Sequence, residues 1–446
     1  MMKFRNAFAF AASSAMAVIC CQSIAAAEPL ELSKAVRVAL ERSPEKGQAE
    51  ARTLQAEAAK DAASRTWLPK VTVEGVAGYR RIDNATRINL GLSSLNEKPL
   101  YGTLSVDQPL FDMGRRMNEL RTQRALLSAA KESQNLTTQV MAYTAARAYL
   151  QLLLQQRIGK DAIENLAFHE GIAADMREGV TKGAMSISER QQADERLLAA
   201  RARKAQSDKD LEAARNDFAA VIGLPPEGLE FPATAVPLLP ATLDDAVAGA
   251  AANDPRIKAA GFNLAAAEAG YRRARAESGP TLDLGGSASA GRDFDGYSGE
   301  TKDYRATVSL RWRLFDGGVI AARAREAFFK VQESQFALTQ TQRDSERDIR
   351  NAWAQLGSLR TQQSEQEARA AVAAEVLSTY RAQFSIGRRS LLDVLDAQNA
   401  RFSAQVEADS ARVGALLAEY AILVQMTRLT DLFGYSEKPV SGKMGP

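Results

Sequence analysis

Tyr304-Arg-Ala-Thr-Val-Ser-Leu-Arg-Trp-Arg-Leu314 alternates without a break: Tyr304, Ala306, Val308, Leu310, Trp312 and Leu314 fall on one side, Arg305, Thr307, Ser309, Arg311 and Arg313 on the other. A period of two with one wholly polar face predicts a β-strand wetted on one side only. Leu282, Leu284, Ala288 and Ala290 alternate in the same way with Asp283, Gly285, Ser287 and Ser289, and Leu100, Gly102, Leu104 and Val106 with Tyr101, Thr103, Ser105 and Asp107. Each run has the roughly 9–11 residues of a tilted membrane-crossing strand. Strands are expected at about 68–80, 100–110, 281–292 and 303–314, with polar loops near 81–98 and 292–302.

A single such hairpin would favour a sheet packed on helices in a water-soluble protein, so the rest of the chain has to choose. Lys3 and Arg5 precede an apolar run from Ala7 to Ile19, and Ala25-Ala26-Ala27 offers small residues before Glu28, so residues 1–27 read as a secretory signal peptide. The competing reading, a lipid-anchored cysteine, is opposed by Ile19 and Cys20, which stand where a lipoprotein signal has a small residue. Beyond the signal no apolar run reaches the ~20 residues of a membrane-spanning helix. Two hairpins on an exported chain favour the membrane. Four strands cannot close a membrane barrel, because open edges are not tolerated in lipid and the smallest barrels have about eight strands. Copies must pool their strands, two giving eight or three giving twelve.

Composition excludes most enzymology. The 446 residues are 46% hydrophobic, 7% aromatic and 25% charged, with a net charge of +3 and no basic stripe, which argues against nucleic acid as a partner. Both cysteines, Cys20 and Cys21, lie in the signal, leaving His169 without a thiolate or a second histidine for zinc or nucleophilic chemistry. His169 lies inside a long helical stretch and reads as a plain packed or exposed side chain. Neither a phosphate-binding Gly-x-x-x-x-Gly-Lys nor a His-Glu-x-x-His or Gly-x-Ser-x-Gly element occurs, so no cofactor, metal or catalytic activity is expected.

The chain also repeats itself. Leu32, Ala35, Val36 and Pro44 recur 211 positions later as Leu243, Ala246, Val247 and Pro255; Leu110-Phe-Asp-Met-Gly114 recurs 204 positions later as Leu314-Phe-Asp-Gly-Gly318. The 204 offset also carries Tyr149 to Trp353 and Gly183 to Gly387. One loop-sized shift between two collinear series marks a duplication: a first repeat over 28–240, a second over 241–431, and a tail at 432–446. Gly223 to Pro240 reads as the extended linker. Each half should run helix, two strands, one very long helix, a tight turn and a second helix. Arg115 to about Glu178 and Val319 to about Arg381 contain no proline and almost no glycine, enough for helices of roughly 95 Å each. Ala145, Tyr149 and Leu152, and their counterparts Ile349, Trp353 and Leu356, supply an apolar face. Gly183 and Gly387 mark the turns that fold each long helix into a hairpin.

With Leu-Phe-Asp-x-Gly at both strand-to-helix passages, and Gly387-Arg-Arg-Ser-Leu-Leu-Asp393-Val-Leu-Asp396-Ala-Gln398 after the second turn, nearly the whole mature chain resembles the TolC family of outer-membrane export ducts. The resemblance implies an α+β, mainly α, fold in a homotrimer. Its shared twelve-stranded β-barrel would sit in outer-membrane lipid and continue as an α-helical barrel across the periplasm. By the same resemblance, Asp393 and Asp396 match the aspartates that ring the tunnel entrance. Arg389 matches the gate arginine, with Ser188 and Glu189 as its hydroxyl and acidic counterparts on the first hairpin, so an Arg389–Glu189 contact is expected. Phe384 stands where the family has a tyrosine, which removes one gate hydroxyl. Phe111, Trp312 and Phe315 suit either the membrane interface or packing at the barrel junction.

The implied function is a passive exit duct docking on a periplasmic adaptor (membrane fusion protein) and an inner-membrane ABC or RND transporter. The tip sequence looks closer to members serving ABC-driven type I protein secretion than to drug-efflux channels. The other classes are a periplasmic adaptor or coiled-coil interaction protein, which would carry one hairpin between mixed β-domains, and a hydrolase using Asp393 and Asp396, which lacks a pocket or a histidine.

Overall fold

The computed structural model describes residues 30–82, 85, 89–90, 95–233, 235–294 and 299–435; the signal segment 1–27 and the tail beyond Tyr435 lie outside the described residues. In the first half α1 (Leu32–Arg42) and α2 (Pro44–Arg65) precede β1 (Lys70–Ala77), a short hairpin of β2 (Arg80–Ile82) and β3 (Leu95–Glu97), and β4 (Leu100–Phe111). Then come α3 (Arg115–Thr181) and α4 (Ile187–Val221). The second half has α5 (Leu243–Asn253), α6 (Pro255–Ala276), β5 (Thr281–Arg292), β6 (Glu300–Arg311), α7 (Val319–Ser385), α8 (Leu391–Gln425) and the short α9 (Leu429–Leu432). Helix lengths match across the halves: 11 residues for α1 and α5, 22 for α2 and α6, 67 for α3 and α7, 35 for α4 and α8.

The sequence explains the breaks. Pro44 and Pro255 end the preceding helix and open the next, where a missing N–H costs nothing. The Ser43 hydroxyl accepts from the Lys46 N–H at 3.1 Å, and the Asp254 carboxylate from the Arg256 N–H at 2.8 Å. The sequence marks both starts, a capping residue before proline at Ser43-Pro44 and at Asp254-Pro255, and the prolines divide the opening helical stretch of each half in two. At the strand-to-helix passages the repeated aspartate is the cap: Asp112 accepts from the Arg116 N–H at 3.1 Å and Asp316 from the Ile320 N–H at 2.8 Å. Gly114 and Gly318, at φ 81° and 87°, make the left-handed bend into α3 and α7.

The main sheet has the antiparallel order β1-β4-β5-β6. Its register aligns Val73, Leu104, Ala288 and Tyr304 in one row, and Val71, Val106, Gly286 and Ala306 in another. The intervening rows are Glu74, Thr103, Ser289 and Asp303, then Thr72, Ser105, Ser287 and Arg305. One face is therefore apolar across all four strands and the other polar, with Thr103 and Ser289 hydrogen-bonded at 2.9 Å. Among the described residues the apolar face packs on nothing: Val73 and Tyr304 are each 78% exposed. That rules out a sheet laid on helices.

Strand limits depart from the sequence reading. β6 was expected at 303–314 and runs over Glu300–Arg311, because its partner β5 starts at Thr281 after Pro280 and offers no ladder beyond the Thr281–Arg311 pair. Trp312 leaves the strand and donates its indole N–H to the Ser278 carbonyl at 3.1 Å. β1 stops at Ala77, short of the expected 80, and 80–82 and 95–97 pair with each other where only loop was expected.

Midway along α3, the expected apolar face forms the principal core: Ala145, Tyr149 and Leu152 are fully buried with Phe218 of α4 and Tyr420 and Leu423 of α8. The Tyr149 hydroxyl donates to the Leu30 carbonyl at 2.8 Å and accepts from the Glu230 N–H at 3.0 Å. The linker is thus docked on the helices.

Candidate functional site

The hairpin tips are built twice from the same pieces. Gly183 and Gly387 sit at φ 73° and 71°, and the next residues, Ala184 and Arg388, donate back to the carbonyls of Gly179 and Gln383 at 2.8 and 2.9 Å. This is the glycine-terminated close of a helix, which a side chain at positive φ strains even where space is free. Three residues on, Ser186 and Ser390 open α4 and α8 with full capping boxes. Glu189 accepts from the Ser186 N–H at 2.8 Å, and Asp393 is its counterpart 204 positions later, accepting from the Ser390 N–H at 3.3 Å and hydroxyl at 2.8 Å. The Ser186 backbone N–H and then its side chain hold the Glu189 carboxyl below the usual carboxylate range.

These caps engage the expected gate residues locally. Within one chain Arg389 does not pair with Glu189. Its guanidinium lies over the Tyr380 ring at 4.1 Å, donates to Gln383 at 3.1 Å and approaches Asp393 at 3.8 Å, all within its own hairpin. Glu189 is engaged in the Ser186 box because that partner is three residues away and needs no second helix. Ser188 is exposed, and Phe384, in place of the family's tyrosine, packs against Leu377 and Val394.

The two hairpins are joined by residues the sequence reading passed over. Arg196 of α4 reaches Asp396 of α8 at 3.1 Å, and Arg203, two turns further, donates to Asn399. Asn165 of α3 accepts from Gln398 of α8 at 2.9 Å in a buried pair. Between these polar ties Leu391 and Leu395 of α8 insert among Ala173, Met176, Ala193 and Leu197 of the first hairpin. Magnitudes rank these contacts: a partly exposed ion pair contributes about 0–1 kcal/mol, a fully buried leucine about 1.5–3 kcal/mol. The apolar insertion carries most of the attachment. The Ser-x-x-Glu and Ser-x-x-Asp spacings at 186–189 and 390–393 were readable signals for the caps; nothing in the spacing of Arg196 announced its partner.

His169 is packed into this seam, 2% exposed, with Nδ1 unpartnered among the described residues. Burial pushes its pKa down, and Arg203 and Arg196 push it further, against a smaller pull from Glu195. The charged groups that act on it are those three, all on α4. A histidine with a depressed folded pKa contributes stability above its ordinary value of about 6.5, and that contribution is lost as pH falls toward the folded pKa. The wild type should therefore lose thermal stability between pH 7.5 and 5.5, and His169→Asn should lose less; equal losses would take His169 out of the acid response.

At the other end, Phe111, Trp312 and Phe315 lie at the sheet-to-helix passages and are 48%, 57% and 86% exposed. Among the described residues there is no group of three or more His, Cys, Asp or Glu side chains placed to hold a metal, and no helix is long and apolar enough to cross a membrane.

A one-sided sheet set at one end of two 67-residue helices, each about 100 Å long, is the architecture of a membrane-anchored duct. The family model for outer membrane efflux proteins matches residues 35–224 and 247–434, and the chain belongs to that family. It is an outer-membrane channel protein extending into the periplasm. It is 27% identical over 376 residues to the outer membrane efflux protein BepC of Brucella suis, covering 79% of this chain and 78% of that one. It is 26% identical over 332 residues to the alkaline protease secretion protein AprF of Pseudomonas aeruginosa, covering 71% and 67%. The solved outer-membrane channel OprN superposes with a TM-score of 0.78 at 22% identity, over 89% of each chain.

Proposed function

We propose that three copies form a passive exit duct for a tripartite export system, in the service of type I, ABC-transporter-driven protein secretion. The observation that carries this is the continuous apolar face of a sheet whose outer strands, β1 and β6, have no further neighbour among the described strands. Lipid requires every strand edge to be paired, and three copies pool twelve strands into one closed barrel. The hairpins then continue the lumen, and their tips, with Asp393 and Asp396 at the entrance, meet a periplasmic adaptor and the inner-membrane transporter. The similarity to a protein named for alkaline protease secretion supports the type I reading; a multidrug-efflux partner is the second reading, supported by the efflux name of BepC. Energy must come from the transporter.

Unheated purified protein should migrate as a trimer and conduct in planar bilayers. Crosslinking in cells should recover an adaptor with an ABC-type transporter. A non-conducting monomer would overturn the duct, and recovery of an RND-type pump would replace type I secretion with drug efflux.

A further inference from the structure

The carboxylates at the tip are not free. Asp396 is held by Arg196 at 3.1 Å, and Asp393 is engaged by Ser390 and lies 3.8 Å from Arg389. Each entrance carboxylate thus has a guanidinium beside it, one from its own hairpin and one from the other. The cross-hairpin pair is held in register. Arg203 sits seven residues after Arg196 on the same face of α4 and bonds Asn399, one turn after Asp396 on α8. Behind the pair, Leu391 and Leu395 fix the distance between the helices. The side chains of Arg196 and Asp396 remain 34% and 58% exposed, so their charges are felt by passing ions.

We propose that Arg196 is a specificity-determining residue of this entrance: it neutralises Asp396 while the hairpins are joined, so that the closed tip is charge-balanced and the duct becomes strongly cation-selective only when the hairpins part. This rests on the duct reading above. The physical basis is that rings of like charge set ion preference in a narrow pore, and a guanidinium at 3.1 Å leaves of its carboxylate's field only that of a dipole, which falls off faster with distance than a single charge's. Gating and selectivity are then one event. Separation of α8 from α4 breaks the Arg196–Asp396 pair and uncovers one negative charge per copy, facing the lumen.

The test is the reversal potential of the channel in planar bilayers under a salt gradient. Arg196→Gln should raise the cation-over-anion permeability ratio severalfold, Asp396→Asn should lower it, and the double variant should return toward wild type. Arg196→Lys keeps the charge and should stay near wild type. The proposal is overturned if Arg196→Gln conducts with the wild-type reversal potential, or if Arg196→Lys shifts it as far as Gln does. Absence of any conductance in the wild-type protein would count against the duct itself, a different failure from an unchanged reversal potential.

Discussion

Leu395→Ala should open the periplasmic tip. Leu395 is fully buried, and its neighbours Ala173, Met176, Ala193 and Leu197 belong to the other hairpin. Truncating a buried leucine costs about 2–5 kcal/mol, the transfer term plus the cavity left behind. The Arg196–Asp396 pair between the same helices contributes about 0–1 kcal/mol. The leucine governs how tightly the hairpins are joined, and the ion pair governs the field they present. Leu395→Ala should therefore raise single-channel conductance and speed proteolysis at residues 183–188 and 386–390, while Arg196→Gln should shift selectivity with little change in stability. Unchanged conductance in a Leu395→Ala protein that still forms trimers would remove the apolar insertion from the latch.

The second large effect concerns the sheet. Val308 lies in the interior of β6, 65% exposed, opposite Leu284 and on the same face as Tyr304 and Leu310. Placing arginine on the lipid side of a barrel costs about 2–4 kcal/mol near the bilayer midplane, less toward its edges. In the proposed three-copy barrel the penalty is counted three times, enough to prevent stable insertion. Val308→Arg should be depleted from outer-membrane fractions and lose the oligomer expected without heating. Ser309→Arg, one residue on and facing the polar side, should be tolerated. The reverse result would mean that the polar rows of Glu74, Thr103, Ser289 and Asp303 face outward.

Much of this was legible beforehand. The alternation from Tyr304 to Leu314 carries the one-sided sheet, because side chains in a strand have no choice but to alternate. Gly183 and Gly387 mark the turns because only glycine takes positive φ without strain, and the absence of proline from Arg115 to Glu178 permits a single long helix. What failed was of another kind. β6 was set three residues too far along because strand ends depend on where the partner runs out, and Pro280 ends the ladder from the other strand. Within one chain the expected Arg389–Glu189 contact is not made, because each group has a nearer partner, Tyr380 and Gln383 for the arginine and Ser186 for the glutamate.

The sequence by itself determined the elements that depend on local rules: the duplicated order of helices and strands, the turns, the caps at Ser43, Asp254 and the repeated Leu-Phe-Asp-x-Gly, and the apolar face of each strand. Only the tertiary structure decided which charges meet across the hairpins. A long arginine on a helix reaches three or four residues along its own helix as easily as it reaches a neighbour, and the choice between them rests on how far apart α4 and α8 are held. That distance is set by Leu391 and Leu395, packed into a surface more than 190 residues away in the chain.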